Sequence, residues 1–239
     1  MSDKLYIVMP AYNEESTIEG VARSWHEIVS QVSCNSKLLI VNDGSKDRTL
    51  KILTDLQNEL SQLQVLTKDN GGHGSALFFG YDFALDHQAD YIFQTDSDGQ
   101  TVPQEFWKFW NSRKQYDFQI GYRRHRQDGI QRIIVTKVLK LVIWLFWGVW
   151  IKDANTPFRL MSAPTLKEHL KLVPRNYNLT NVLLAVLYQK SGQRGRFIQI
   201  TFLPRQGGVN SINLKRIFHI GIKAVKDFYS LSRSIRIIK

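Results

Sequence analysis

Asp96-Ser97-Asp98 directly follows the β-rich run Tyr91-Ile-Phe-Gln-Thr. If the strand continues through it, alternate residues share a face and both carboxylates point to one place. Two hard oxygen donors suit Mg²⁺ or Mn²⁺, which takes few protein ligands and completes its sphere with phosphate oxygens and water. A cation held there would offset the charge building on a departing diphosphate. Gln100 is placed to add a neutral contact. The same residue types also make an ordinary solvated turn, so the tripeptide takes its meaning from its surroundings.

Those surroundings are polar clusters of the same kind. Asn42-Asp43-Gly44-Ser45 offers Asp43 as an acceptor for a base or ribose and Ser45 as a cap for the next helix. Tyr12 can stack on a base and Glu14 bind its polar edge, or both can simply open a helix. Gly71-Gly-His-Gly-Ser lets backbone approach a ligand closely. It has neither the G-x-G-x-x-G order of a dinucleotide fingerprint nor the Gly-Lys-Ser/Thr ending of a P-loop. His73 reads as a loop hydrogen-bonding residue. One cysteine rules out a zinc–thiolate cluster, the six histidines show no H-E-x-x-H spacing, and no G-x-S-x-G elbow is present.

Short β-rich runs separated by helical patterns carry these clusters. Leu5–Pro10, Lys37–Asn42, Gln64–Thr67 and Asp90–Thr95 predict strands, and Phe118–Gly121 a fifth. Ile18, Val21, Trp25, Ile28, Val29 and Val32 fall at helical spacing, with Asn13 as the candidate cap and Glu14 and Glu15 behind it. Asp47–Leu60, Ser75–Asp86, a stretch from about Ile130 to Trp150, and Asn178–Lys190 predict further helices. A last strand is expected near Phe197–Phe202. This alternation predicts an α/β fold, a single Rossmann-like domain with a mostly parallel central sheet flanked by helices. Ligands of such sheets bind outside the strands' carboxyl ends, where all four polar clusters lie. At 239 residues, 43% apolar and 22% charged, the chain suits one core. We divide it into one domain over residues 1–210 and a basic amphipathic helix over 211–239.

The formal net charge of +11 calls for an anionic partner. From Thr201 onward there are eight Lys/Arg and one acid, Asp227. Ile217, Phe218, Val225, Phe228, Leu231 and Ile235 interleave with them at roughly helical spacing, as in an interfacial helix. The longest apolar run, Leu141–Ile151, makes about 16 Å of helix, half of a hydrocarbon core, so it packs inside or lies in an interface rather than spanning. Cys34 alone fits a reducing compartment, and no secretory signal opens the sequence. The expected location is cytoplasmic, peripheral on the cytosolic face of a membrane.

Taken together, Ile7-Val-Met-Pro-Ala-Tyr-Asn-Glu-Glu, Val41-Asn-Asp-Gly-Ser-Lys-Asp-Arg-Thr, Asn70-Gly-Gly-His-Gly-Ser-Ala and Thr95-Asp-Ser-Asp-Gly-Gln resemble a family 2 glycosyltransferase of the GT-A fold over roughly residues 4–205. The resemblance implies inverting transfer from a nucleoside diphosphate sugar, UDP- or GDP-linked, with Mg²⁺ or Mn²⁺. Carried over by position, it implies that Pro10, Tyr12, Glu14, Val41 and Asp43 hold the nucleotide. Asp96 and Ser97 would meet the nucleotide sugar, and Asp96, Asp98 and Gln100 the metal and diphosphate.

The second half resembles the polyprenyl-phosphate branch, which includes dolichyl-phosphate mannose synthases. Gly121-Tyr-Arg-Arg, Asp153 through Met161, and Arg205-Gln-Gly-Gly-Val-Asn-Ser match its segments, which implies an acceptor-phosphate cradle of Arg123, Arg124 and Arg205. Members of that branch often carry carboxy-terminal spanning helices, and none occurs in this sequence. A sugar hydroxyl needs a general base whereas a lipid phosphate is already an anion. Members acting on hydroxyls usually carry a carboxylate before the late helix, but Asn176-Tyr-Asn-Leu-Thr-Asn-Val-Leu-Leu has none. Asp98, Arg123 and Asp153 are therefore the candidate catalytic residues, with Asp153 able to serve as base in an alternative, saccharide-directed enzyme. A nucleic-acid-binding domain would also answer the charge, but the acidic cluster at the strand ends argues against it. A silent sugar-nucleotide-binding relative is disfavoured by Asp96 and Asp98, and self-association is left open.

Overall fold

The computed structural model describes residues 3–123, 129–175, 177–204, 225–233 and 235, and within 129–135 the backbone alone. Seven strands form one sheet in the order β3-β2-β1-β4-β6-β5-β7. They are β1 (Leu5–Ala11), β2 (Lys37–Asp43), β3 (Leu63–Lys68), β4 (Tyr91–Gln94), β5 (Phe118–Arg123), β6 (Arg159–Ser162) and β7 (Gly195–Ile200). All seven residues of β1 are buried, as a central strand covered on both faces requires, which is why it reads as an unbroken apolar run.

One face carries α1 (Ile18–Val32), α2 (Thr49–Glu59) and a helical segment ending in α4 (Trp107–Trp110). The other carries α3 (His73–Asp86), α5 (Gly129–Trp147), α6 (Ala163–Leu170), α7 (Thr180–Lys190) and the helix over 225–233, whose Phe228 is wholly buried. The predicted strands and the five helices predicted between Ile18 and Lys190 are all present, most with ends shifted by a few residues. Arg124, Arg205 and the 210/211 division lie outside the described residues.

Three local expectations are corrected. Asn13 does not cap α1: its backbone is left-handed (φ 54°), its amide oxygen accepts from Lys46 N at 2.8 Å, and the helix starts five residues later at Ile18. Ser45 does not cap α2 but accepts from Asn13 N at 3.1 Å, while Asp47 accepts from Thr49 N at 2.9 Å. Both side chains are therefore spent stitching the β1 and β2 loops together, a use that no local pattern announces. Asp96 and Asp98 do not continue β4, which ends at Gln94; Asp98 lies in the bend over 97–99 and Asp96 just before it, so strand alternation does not set where their carboxylates point.

Strand β6 is an addition. Its four residues lie antiparallel between β4 and β5, with Gln94 opposite Arg159 and Ile120 opposite the same arginine. A run this short shows no usable alternation in sequence, and the ladder on both sides creates it.

Candidate active site

Strands β1 to β4 are mutually parallel, and two antiparallel steps through β6 leave β5 and β7 pointing the same way. The carboxyl ends of six strands and the chain entering β6 thus share one sheet edge.

Asp43 ends β2 with its side chain 4% exposed. Its Oδ1 accepts from Lys68 Nζ at 2.8 Å and Gly71 N at 3.0 Å, and its Oδ2 from Gly72 N at 2.8 Å. The carboxylate therefore shapes the glycine loop from within. Gly44 has φ 69°, and a Cβ there would stand 2.7 Å from Asn70 N, so a side chain would push these two loops apart. A Cβ on Gly74 would meet Tyr177 O at 2.2 Å, which makes glycine the condition for α3 to start against the chain leading into α7.

The acidic turn is tied down on three sides. Ser97 Oγ donates to Pro10 O at 2.9 Å, and Asp98 Oδ1 accepts from Gln100 N at 3.1 Å. Gln100 Nε2 donates to Leu203 O at 2.9 Å, while Leu203 N donates back to Gln100 O at 2.8 Å. Pro10 and Ser97 are thus in direct contact, and Gln100 clasps the segment after β7 to the turn. Asp96 Oδ1 is 3.2 Å from His73 Nε2 at the start of α3. Burial lowers the His73 pKa, but the hydrogen bond and charge of Asp96 outweigh it, and the net displacement is upward.

Asp96 and Asp98 are half-buried on either side of buried Ser97. Among the described residues no group of three or more His, Cys, Asp or Glu could cage a metal by itself. Two half-buried carboxylates two residues apart suit a cation that takes its remaining ligands from phosphate and water.

The other expected nucleotide contacts differ in kind. Tyr12 is 43% exposed. Glu14 is buried, and its Oε2 accepts from Thr17 Oγ1 at 3.1 Å. Val41 is wholly buried on β2 against α3, within 3.1 Å of where a Gly80 Cβ would stand, so its side chain belongs to the core.

Arg123 at the end of β5 and Asp153 before β6, both expected at the acceptor, are paired with each other. Arg123 Nε and Nη2 donate to Asp153 Oδ2 and Oδ1 at 2.8 and 3.0 Å, with both side chains 6% exposed. The guanidinium also lies 4.8 Å from the centre of the Phe202 ring. A hydroxyl seeking Asp153 as base would have to displace a buried bidentate partner. Sequence reasoning gave no role to Arg159, wholly buried under this edge, where burial pushes its pKa down. An arginine inside the apolar run Phe158-Arg-Leu-Met was the available signal.

A family profile described as Glycosyl transferase family 2 matches residues 6–170. The chain belongs to glycosyl transferase family 2. It is 28% identical over 233 residues to an uncharacterized glycosyltransferase of Synechocystis, covering 95% of this chain and 70% of that one. It is 30% identical over 190 residues to a UDP-N-acetylglucosamine–dolichyl-phosphate N-acetylglucosaminyltransferase of Methanococcus voltae, covering 70% and 73%. Identity is 28% over 217 residues to an undecaprenyl-phosphate 4-deoxy-4-formamido-L-arabinose transferase of Pectobacterium carotovorum, covering 90% and 64%. Among solved structures, glucosyl-3-phosphoglycerate synthase of Mycobacterium tuberculosis, in complex with Mn²⁺, UDP and phosphoglyceric acid, superposes with a TM-score of 0.70 at 16% identity. That match covers 98% of this chain and 80% of the other. The likeness establishes a GT-A fold, and this family 2 member is a glycosyltransferase whose relatives include polyprenyl-phosphate sugar transferases.

Proposed function

We propose that this enzyme moves a sugar, with inversion, from a UDP- or GDP-sugar to a polyprenyl phosphate at the cytosolic face of a membrane. The observation that carries the acceptor assignment is the commitment of Asp153. Both of its oxygens are engaged by Arg123, and the approach to α7 holds no carboxylate, so a hydroxyl acceptor lacks a ready base. A phosphate monoester needs none. One of its anionic oxygens attacks the anomeric carbon as the bond from that carbon to the diphosphate breaks, and the nucleoside diphosphate leaves with the bonding pair.

Asp96 and Asp98 would hold Mg²⁺ or Mn²⁺, which when bound offsets the charge gathering on the diphosphate. Tyr12 would stack on the base, and the glycine loop, its Gly71 and Gly72 amides held by Asp43, would lie beside the phosphates. Because Arg123 is turned to Asp153, contact with the acceptor phosphate falls chiefly on Arg124 and Arg205. These directly follow Arg123 and Pro204, two residues at the same edge, and match arginines that anions favour for bidentate binding. The test is nucleotide release with Mn²⁺ from a panel of UDP- and GDP-sugars, with short polyprenyl phosphates or soluble saccharides as acceptors. Turnover on polyprenyl phosphate is expected; turnover on saccharides alone would defeat the lipid assignment and return Asp153 to the role of base.

Membrane contact is supported by α5. Its Val142, Ile143 and Trp147 are buried, whereas Val138, Leu141, Trp144 and Leu145 are each at least half exposed along one stripe. Trp150, just beyond the helix, is 64% exposed, and exposed Lys137 and Lys152 flank the stripe. Among the described residues no helix is long and apolar enough to cross a membrane, so such a surface would lie in the interface. Co-sedimentation with anionic vesicles is expected to fall at least about tenfold when Trp144 and Leu145 are both replaced by serine, two side chains worth about 1.5–3 kcal/mol each if fully buried. Equal binding of the parent and the double variant would show that the stripe does not contact lipid.

A further inference from the structure

Arg159 stands where the donor and acceptor sides of the sheet are joined. In β6 it is opposite Gln94 of β4, two residues before Asp96, and opposite Ile120 of β5, three residues before Arg123. Its side chain is 0% exposed. Every hydrogen bond it makes goes to a main-chain carbonyl: Nε to Thr156 O at 3.0 Å, Nη1 to Asn181 O at 2.9 Å, and Nη2 to Ala154 O at 3.1 Å and Thr156 O at 2.5 Å. Among the described residues no carboxylate lies within ion-pair distance of it. A buried guanidinium without a counter-ion is costly, and an apolar side chain in so short a central strand would pack without that cost.

The carbonyls it gathers belong to two segments that frame the site. Ala154 and Thr156 form the turn directly after Asp153, and Asn181 lies in the first turn of α7, which follows the Tyr177 carbonyl lodged against Gly74. The acidic side chains within its electrostatic reach are Asp153 and Asp96, one on each side of the edge. Among the described residues six buried side-chain atoms lack a hydrogen-bond partner, and three of them are Gln94 Nε2, Thr156 Oγ1 and Asn181 Oδ1. Each of these three belongs to a residue bonded to Arg159 or paired with it. Buried polarity left incompletely matched is uncommon in a mere packing core and concentrates where function constrains the chain.

We propose that Arg159 is a positioning residue for sugar transfer: by holding the Ala154–Thr156 turn and the first turn of α7, it sets the Arg123–Asp153 pair in place relative to Asp96. The inference rests on the transferase reading but not on the lipid acceptor. Arg159→Lys keeps the charge and loses the planar fork that reaches three carbonyls at once. Arg159→Leu removes both.

In folded Arg159→Lys enzyme, kcat should fall about 10²-fold, the penalty of a misplacement near 1 Å. The KM for the donor should stay within about twofold, because Tyr12, Pro10 and the Asp43 loop are not held by Arg159. The KM for the acceptor should rise. Hydrogen exchange should quicken at amides 154–156 and in the first turn of α7 and stay unchanged in α2. A kcat within about threefold of the parent, a donor KM rising in step with the acceptor KM, or unchanged exchange at those amides would overturn the proposal. So would failure of both variants to fold, which would assign Arg159 to stability alone. A parent enzyme that turns over no donor would defeat the functional reading instead, and the exchange measurement would still judge Arg159.

Discussion

Replacing Asp98 with alanine is expected to lower kcat by about 10³-fold or more while leaving the fold intact. A cation at a diphosphate leaving group supplies several kcal/mol of transition-state stabilisation, and each 1.4 kcal/mol is a factor of ten in rate. The turn that presents Asp98 does not depend on its carboxylate alone. Ser97 is bonded to Pro10, and Gln100 is bonded to Leu203 in both directions, so the backbone keeps its course when Asp98 is shortened. Thermal unfolding without metal should therefore be near that of the parent, and calorimetric titration with Mn²⁺ and nucleoside diphosphate should show the lost site. Undiminished turnover with the same dependence on metal would remove Asp98 from the chemistry.

Replacing Asp153 with alanine is expected to destabilise the protein by about 3–5 kcal/mol, because it strands the Arg123 guanidinium in a buried site. For a chain of this size that corresponds to a fall in Tm of about 10 °C. Removing both charges, with Arg123→Met and Asp153→Leu together, should recover most of the loss, since the pair's desolvation is relieved along with its attraction. The comparison also separates two chemistries. If Asp153 were a general base, Asp153→Asn would abolish transfer to a saccharide in protein that remains folded. If the acceptor is a phosphate, the surviving folded fraction of the same variant should retain transfer at a rate set by positioning. A Tm within about 2 °C of the parent for Asp153→Ala would mean that the buried pair is not what holds this wall.

Much of the donor side is legible without a structure. Leu5–Pro10 and Lys37–Asn42 are apolar runs long enough to be strands buried on both faces, and the clusters behind them fall at the carboxyl ends because strand and helix alternate. The clustering of Asp43, the glycine loop and Asp96 at one edge follows from that order alone. Which atoms each side chain uses does not. Asp43 reads as a ligand for a nucleotide, yet three of its hydrogen bonds run to Lys68, Gly71 and Gly72. Val41 sits in the correct strand, yet its side chain belongs to the core.

Around β5 and β6 the balance tips further. Residues Arg123 and Asp153 are separated by thirty positions, each plausible as a chemical group, and nothing in their neighbourhoods says that they neutralise one another. Arg159 lies in a four-residue strand whose existence depends on neighbours from β4 and β5. By itself the sequence determined the α/β class, the strand edge that carries the site and the residue types available there. These are written in local periodicity and turn chemistry, which neighbouring residues suffice to express. Only the tertiary structure decided which charges meet which, because a hydrogen bond or ion pair is a matter of a few ångströms between segments that the chain order leaves far apart.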